Sequence, residues 1–348
     1  MSLNKQAIAF TSVISYALAT YVLVAPAFTV NQFTLPQWLS FLIVSIPFGG
    51  RVMGALLYQR LVSMLGSRLT YLISIIALGL FSLGSSINFL GLLITLRLLV
   101  GIAFGIATSL AVEQAMRSGN KIIIALTMSG WAFGWIMGAF SYLELQNWSL
   151  IAISGVITIP FSLLYKALLN FKAEEVDFSL PSISSILIFF FSFEPAFALQ
   201  LAPSIVEDEG GITWLILGYI ISIPMYILMP TISRFLGETR TAIIYTSVSA
   251  ISGILFFITS LPYILVIFTA FGLGMNAIAP RLASVYGATA RSVGIALNTA
   301  ALGGVVVPVI ASLNIKIIAS LFTAISMVIL LVMAVKKRNA MYVEVSYR

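Results

Sequence analysis

Cysteine and histidine are both absent from the 348 residues. Their absence excludes disulfides, thiol- or imidazole-ligated metals, and catalysis that needs a thiolate or an imidazole base. Charge is scarce as well: Asp, Glu, Lys and Arg make up 8 % of the chain, against about 25 % in a soluble domain. Apolar residues fill the space, at 60 % of the sequence and a mean hydropathy of +1.10. This is the composition of an integral membrane protein. No Gly-x-x-x-x-Gly-Lys-Ser/Thr stretch occurs, so no ATP site is expected. With no dense carboxylate cluster either, the chain is expected to be no enzyme and to hold no catalytic residues, no metal and no cofactor.

A bilayer-crossing helix needs about 20 apolar residues, and the sequence predicts twelve. They cover Ala7–Val30, Gln37–Gln59, Leu69–Ser86, Phe89–Glu113, Ile122–Tyr142 and Trp148–Leu168, then Ser182–Ala202, Thr213–Arg234, Thr241–Thr259, Tyr263–Tyr286, Ser292–Leu313 and Ile315–Val335. The N-terminus enters the first span without a small-residue cleavage site and reads as a retained helix. The longest charged connection carries Lys172, Glu174, Glu175 and Asp177. It divides the chain into an N-terminal six-helix bundle (1–170), a linker (171–181) and a C-terminal six-helix bundle (182–348).

The basic residues lie on one side. With the N-terminus in the cytoplasm, the inner segments hold fifteen of the 18 Lys and Arg, and the outer loops hold only Lys316 beside Glu144, Glu207, Asp208 and Glu209. By the positive-inside rule both termini are cytoplasmic, and the expected location is the plasma membrane. The net charge of +7 is thus topological and does not point to nucleic acid.

The halves repeat. A shift of 171 residues lays Gly66 on Gly237, Gly101 on Gly272, Ile124-Ala125-Leu126 on Ile295-Ala296-Leu297, and Ser141 on Ser312. Six spans per half make this a parallel duplication about the membrane normal, which puts a central site between two bundles.

Two charged residues remain inside spans of the first half, Arg51 and Arg97. An arginine near the bilayer centre costs about 2.5–3.5 kcal/mol on insertion scales, so it faces protein or a polar cavity. Arg97 shares a helix face with Gly101 and Gly105. Two readings stand for it: bonding to exposed backbone carbonyls, which would pin its helix, or facing a cavity to handle solute or protons. Arg51 has a similar pair of readings, snorkelling or interhelix bonding against a cavity-facing role. Glu194, in Ser192-Phe-Glu-Pro, lies near the middle of the seventh span. A carboxyl buried beside a cation can exchange a proton as the cavity changes. Asn276 and Asn298 are buried amides that could read a solute or join helices. Tyr16, Tyr21, Trp131, Tyr219 and Tyr226 are candidate cavity walls.

Arg97-Leu-Leu-Val-Gly101-Ile-Ala-Phe-Gly105 resembles the arginine–glycine motif of the major facilitator superfamily. Gln59-Arg-Leu-Val-Ser63-Met-Leu-Gly66-Ser-Arg68 resembles that family's Gly-x-Leu-x-Asp-Arg-x-Gly-Arg-Arg loop, with Leu61, Gly66 and Arg68 in place. Gln59 replaces the first glycine and Ser63 the aspartate; the second half repeats Ile232 and Gly237, again without the acid. The resemblance implies an all-α membrane fold of two six-helix bundles that alternate access. It implies that spans one, four, seven and ten line the cavity, placing Arg97 and Glu194 on facing walls. It also implies an inner charge latch, for which Gly66, Arg68, Glu113, Arg117 and Gly237 are the candidates. Drug–proton antiporters of the family carry Gly-Pro in span five, where Gly134 is followed here by Trp135.

The expected function is therefore secondary active transport of a small polar solute by rocking bundles, proton-coupled through Glu194. If Arg51 and Arg97 both face the cavity, the solute is anionic. A facilitative uniporter, a drug or metabolite exporter, and a non-transporting sensor or scaffold are the alternatives. The expected partners are the solute, H+ and the lipid bilayer, with the protein acting as a monomer.

Overall fold

The computed structural model describes residues 3–87, 89–171, 181–190, 201–206 and 211–305, with positions 314, 317 and 324. Glu194, the linker acids 174–177 and nearly all of the twelfth expected span lie outside the described residues. Among those described, every regular element is helical.

Helix α1 (Leu3–Val24) passes into a 3-10 turn, Ala25–Phe28, where Pro26 sits at the second position. Proline has no N–H for the carbonyl four residues back, so Val22 O loses its helical donor. Tightening to 3-10 pairing strips the next carbonyl in the same way. This end of α1 therefore presents bare carbonyls to whatever lies beside it.

Helix α2 (Gln37–Gly84) runs for 48 residues, about 70 Å at 1.5 Å per residue, or some two membrane thicknesses. It breaks at Gly66, whose φ of 76° and ψ of 165° are accessible in practice only to glycine. The two arms correspond to the second and third expected spans, and the expected connection between them is helical up to Gly66. In the second half, α6 (Ile212–Leu236) and α7 (Glu238–Thr259) meet at Gly237, with φ 79° and ψ 153°. The two glycines related by the 171-residue shift thus take nearly the same strained conformation.

Helices α3 (Leu90–Arg117) and α2 interlock through glycine. A Cβ on Gly101 would strike Pro47 O, one on Gly105 would strike Arg51 O, and Gly50 and Gly54 abut Leu98 and Ile102 in return. Helix α4 (Lys121–Leu145) begins at Asn120, whose side chain caps Ile122 N, and lies along α1 through Gly130, Gly134 and Gly138. Helix α5 (Trp148–Ala167) alternates α and 3-10 turns and is tied to the second arm of α2 by Ser82 and by Trp148 Nε1 donating to Ser85 O.

Helical stretches 183–190 and Ala202–Val206 lead into α6 and α7. Helix α8 is a bent pair, Ile264–Ala277 and Ala279–Val285, turned by 44° just before Pro280. Helix α9 (Ala290–Ala300) starts with a capping box between Thr289 and Ser292. Seven described helices are long and apolar enough to cross a bilayer, or eight with the bent pair, and α2 enters that tally once despite its double length. Bulky apolar side chains such as Phe10, Trp38, Phe140 and Phe235 point outward, as they do in a multi-pass membrane protein.

The halves meet where α4 packs on α6 and where α9 packs on α2 and α3. One end of the molecule carries Arg68, Arg117, Lys121, Arg234 and Arg291, and is here termed the basic end.

Candidate functional site

The core between the halves is aromatic with polar tips. Trp135 of α4 stacks on Tyr219 of α6, with ring centroids 5.3 Å apart and planes 14° from parallel. Tyr16, Phe48, Phe104, Trp131 and Tyr226 join them, all essentially inaccessible to solvent. Arg51 enters this wall from α2. Its guanidinium carbon lies 4.4 Å from the Phe104 ring centroid, 5.3 Å from Phe48 and 5.5 Å from Trp131. Three ring faces thus hold the cation by their quadrupoles.

Arg51 Nε donates to Asn298 Oδ1 of α9 at 3.0 Å, and its guanidinium also interacts with the Tyr16 hydroxyl. Neither terminal nitrogen makes a hydrogen bond of ordinary length among the described residues. The same is true of the hydroxyls of Tyr16, Tyr219 and Tyr226, of Trp135 Nε1 and of both polar atoms of Asn276. Each such buried group costs about 1–3 kcal/mol. They concentrate in the aromatic core between the halves. Electrostatics links the group: Tyr16 lies within reach of Arg51, and Tyr226 beside Asn276.

Asn298 is a junction. Its Nδ2, with two hydrogens to give, lies 3.0 Å from Ser109 Oγ, 3.2 Å from Thr108 Oγ1 and 3.0 Å from Gly294 O, while its Oδ1 accepts from Arg51. It thereby joins α2 and α3 of the first half to α9 of the second. Gly294 makes this possible, since a Cβ there would approach Ser109 Cα to 2.9 Å.

A second rung lies nearer the basic end. Glu113 is fully buried and accepts from Tyr58 Oη at 2.6 Å and from Arg117 Nε at 2.8 Å. Arg291 Nε of α9 stands 3.5 Å from the same carboxylate. Arg51 and Tyr58 are seven apart on one face of α2, and Arg291 and Asn298 are seven apart on one face of α9. Tyr58 and Arg291 carry no sequence motif of their own; that spacing is the signal that finds them.

The other expected residues lie apart. Of the two readings for Arg97, the geometry is the pinning one: Nη1 donates to Val22 O at 2.8 Å and Nη2 to Leu23 O, the carbonyls bared by Pro26. Its guanidinium carbon is 5.8 Å from the Trp148 ring. Arg97 and Arg51 thus have separate partners, backbone carbonyls of α1 for the one and Asn298 of α9 for the other. Arg68 Nε donates to Leu168 O at 3.2 Å, closing the end of α5, and takes no part in the Glu113 cluster. Gly66 and Gly237 contribute backbone turns.

No protein-family model matches the sequence, and no curated protein does. Solved structures match the backbone. The xylose transporter XylE from E. coli, in a partially occluded inward open conformation, aligns over 94 % of this chain and 97 % of its own with a TM-score of 0.74. The chain has the major facilitator fold. A second structure of that fold, the proton:xylose symporter XylE bound to 6-bromo-6-deoxy-D-glucose, covers 93 % of this chain and 94 % of its own at a TM-score of 0.72. A variant of the nucleoside transporter NupG covers 95 % and 99 % at 0.68. Sequence identities are 14 %, 12 % and 12 % in that order, so the likeness to these major facilitator structures is one of fold.

Proposed function

We propose that the chain is a secondary transporter that carries a small polar solute between its two bundles. The observation that carries this reading is Arg51, buried at the junction of the halves with neither terminal nitrogen in a hydrogen bond of ordinary length. Trp135, Tyr219 and Trp131 supply flat apolar faces, and Tyr16, Tyr226 and Asn276 supply hydrogen-bonding tips. A solute with a ring face and an oxygen-rich edge matches that set, as do the xylose, halogenated glucose and nucleosides named for the fold neighbours. An anionic oxygen group is the edge that best fits the free side of the guanidinium.

Two halves, 1–170 and 182–348, each of six spans and joined by 171–181, rock about this core, with both termini and the basic end in the cytoplasm. The protein works as a monomer in the plasma membrane. Proton coupling is assigned to Glu194, in line with the symport named for XylE. The test is uptake into proteoliposomes of labelled pentose, nucleoside and phosphorylated sugar, with and without a pH gradient. Saturable uptake of one class, lost in Arg51→Ala, is the expected result. Equal, unsaturable fluxes in parent and variant would sink the reading. An imposed gradient without effect on the parent identifies a uniporter, and full coupling in Glu194→Gln removes the proton role from that residue.

A further inference from the structure

Three cations gather at the basic end on both sides of the bundle boundary. Lys121 opens α4 in the first half; Arg234 closes α6 and Arg281 lies in the second piece of α8, both in the second half. Helix α4, which Lys121 opens, packs on α6, which Arg234 closes, and Arg281 stands within electrostatic reach of both. One acid answers them among the described residues, Glu238 at the start of α7, which forms an ion pair with Arg281 Nη2. Arg281 Nη1 is buried without a hydrogen-bond partner, and neither Lys121 nor Arg234 has an acid partner among the described residues. Like charges crowded across an interface push its two sides apart. A multivalent anion seated among them reverses the sign.

The flanks of the cluster point to the kind of anion. Phe235, beside Arg234, is 84 % exposed, and Ile122, beside Lys121, is 48 % exposed. Apolar side chains next to cations at the end of a membrane helix suit a ligand with a charged head and an acyl body.

We infer that Lys121, Arg234 and Arg281 form a phosphate-binding site for the headgroup of an anionic phospholipid, which bridges the two halves at the basic end. Arg281 Nη1 supplies the buried donor, and Lys121 and Arg234 close over the headgroup from opposite halves. An occupied site holds the basic end shut; an empty one favours its opening. The inference is independent of which solute the central core takes.

Thermal unfolding of the full chain tests it, in nanodiscs of phosphatidylcholine alone and with added phosphatidylglycerol, each with and without inorganic phosphate. Phosphatidylglycerol is expected to raise the Tm of the parent. Lys121→Gln and Arg234→Gln each weaken the lipid's apparent affinity by about fivefold, and the double variant loses the response. Arg60→Gln, an exposed cation on α2, keeps it. Lys121→Glu places an acid against Arg281 and Arg234, so its Tm in phosphatidylcholine alone rises toward the lipid-bound value and no longer responds. A Tm rise with inorganic phosphate alone, abolished by the same substitutions, assigns the site to free phosphate instead of a lipid. A parent that responds to neither anion, or a double variant that responds as the parent does, overturns the site.

Discussion

Arg51 and Arg97 are two fully buried arginines in the same half of the molecule, on helices that interlock, and their surroundings differ in kind. Arg97 is held by backbone carbonyls of its own half, fixed groups left bare because Pro26 withholds a donor. Arg51 is held by aromatic faces and by one amide that belongs to the other half. The first environment lies wholly within one half. The second includes a partner from across the boundary. A charged residue inside the membrane therefore declares its role by what satisfies it. Carbonyls of its own half fit a fastener, and a side chain across the boundary fits a sensor.

Substitutions can break or sharpen this contrast. Arg51→Ala has the largest expected effect on flux, about a hundredfold loss of uptake per folded molecule, from one charged hydrogen bond and the ring contacts together. Uptake assayed against folded protein, quantified by gel filtration, measures it. Asn298→Ala removes the junction but leaves the cation, and is expected to slow uptake by about tenfold. If instead it left uptake unchanged, Arg51 would be sensing nothing across the boundary. Glu113→Gln loosens the lower rung. With no native cysteine in the chain, a single Ser109→Cys probe reports on it, and its labelling rate should rise by about fivefold in the Glu113→Gln background. Arg97→Ala has the smallest expected effect on flux, within about twofold per folded molecule. It should nonetheless lower stability by about 3 kcal/mol, because two charged hydrogen bonds vanish and Val22 O and Leu23 O are left bare. An Arg97 variant that folds normally yet fails to transport would erase the distinction between the two arginines.

Much of this architecture can be read in the chain. The interlocking of α2 and α3 follows from Gly101 and Gly105, and the packing of α4 on α1 from Gly130, Gly134 and Gly138, because glycine spacing dictates where backbones can touch. The break at Gly66 is visible in the loop motif and its echo at Gly237 in the repeat. The direction of Arg97 is not visible from its own helix. It is decided on α1, where Pro26 removes the donor of Val22 O, a cause some seventy residues away in the sequence. The pairing of Glu113 with Arg291 is hidden for a related reason: each residue lies on a legible helix face, but the rotation of one half against the other comes from packing that no periodicity encodes. In the sequence Trp135 stands out only for the proline it replaces, whereas its ring is half of the stack that joins α4 to α6.

The glycine contacts between α2 and α3 have a mechanical meaning. With backbone against backbone at four glycines, the first arm of α2 and α3 form a single stiff beam, and neither can slide without the other. Arg51 is mounted on that beam, as are Tyr58 and Glu113, so a displacement of Arg51 reaches the rung at Glu113 without slack. The give must lie at the seam with α9, where Gly294 leaves only the thickness of a missing methyl group between the beam and its neighbour. At that seam Gly294→Ala would act as a doorstop.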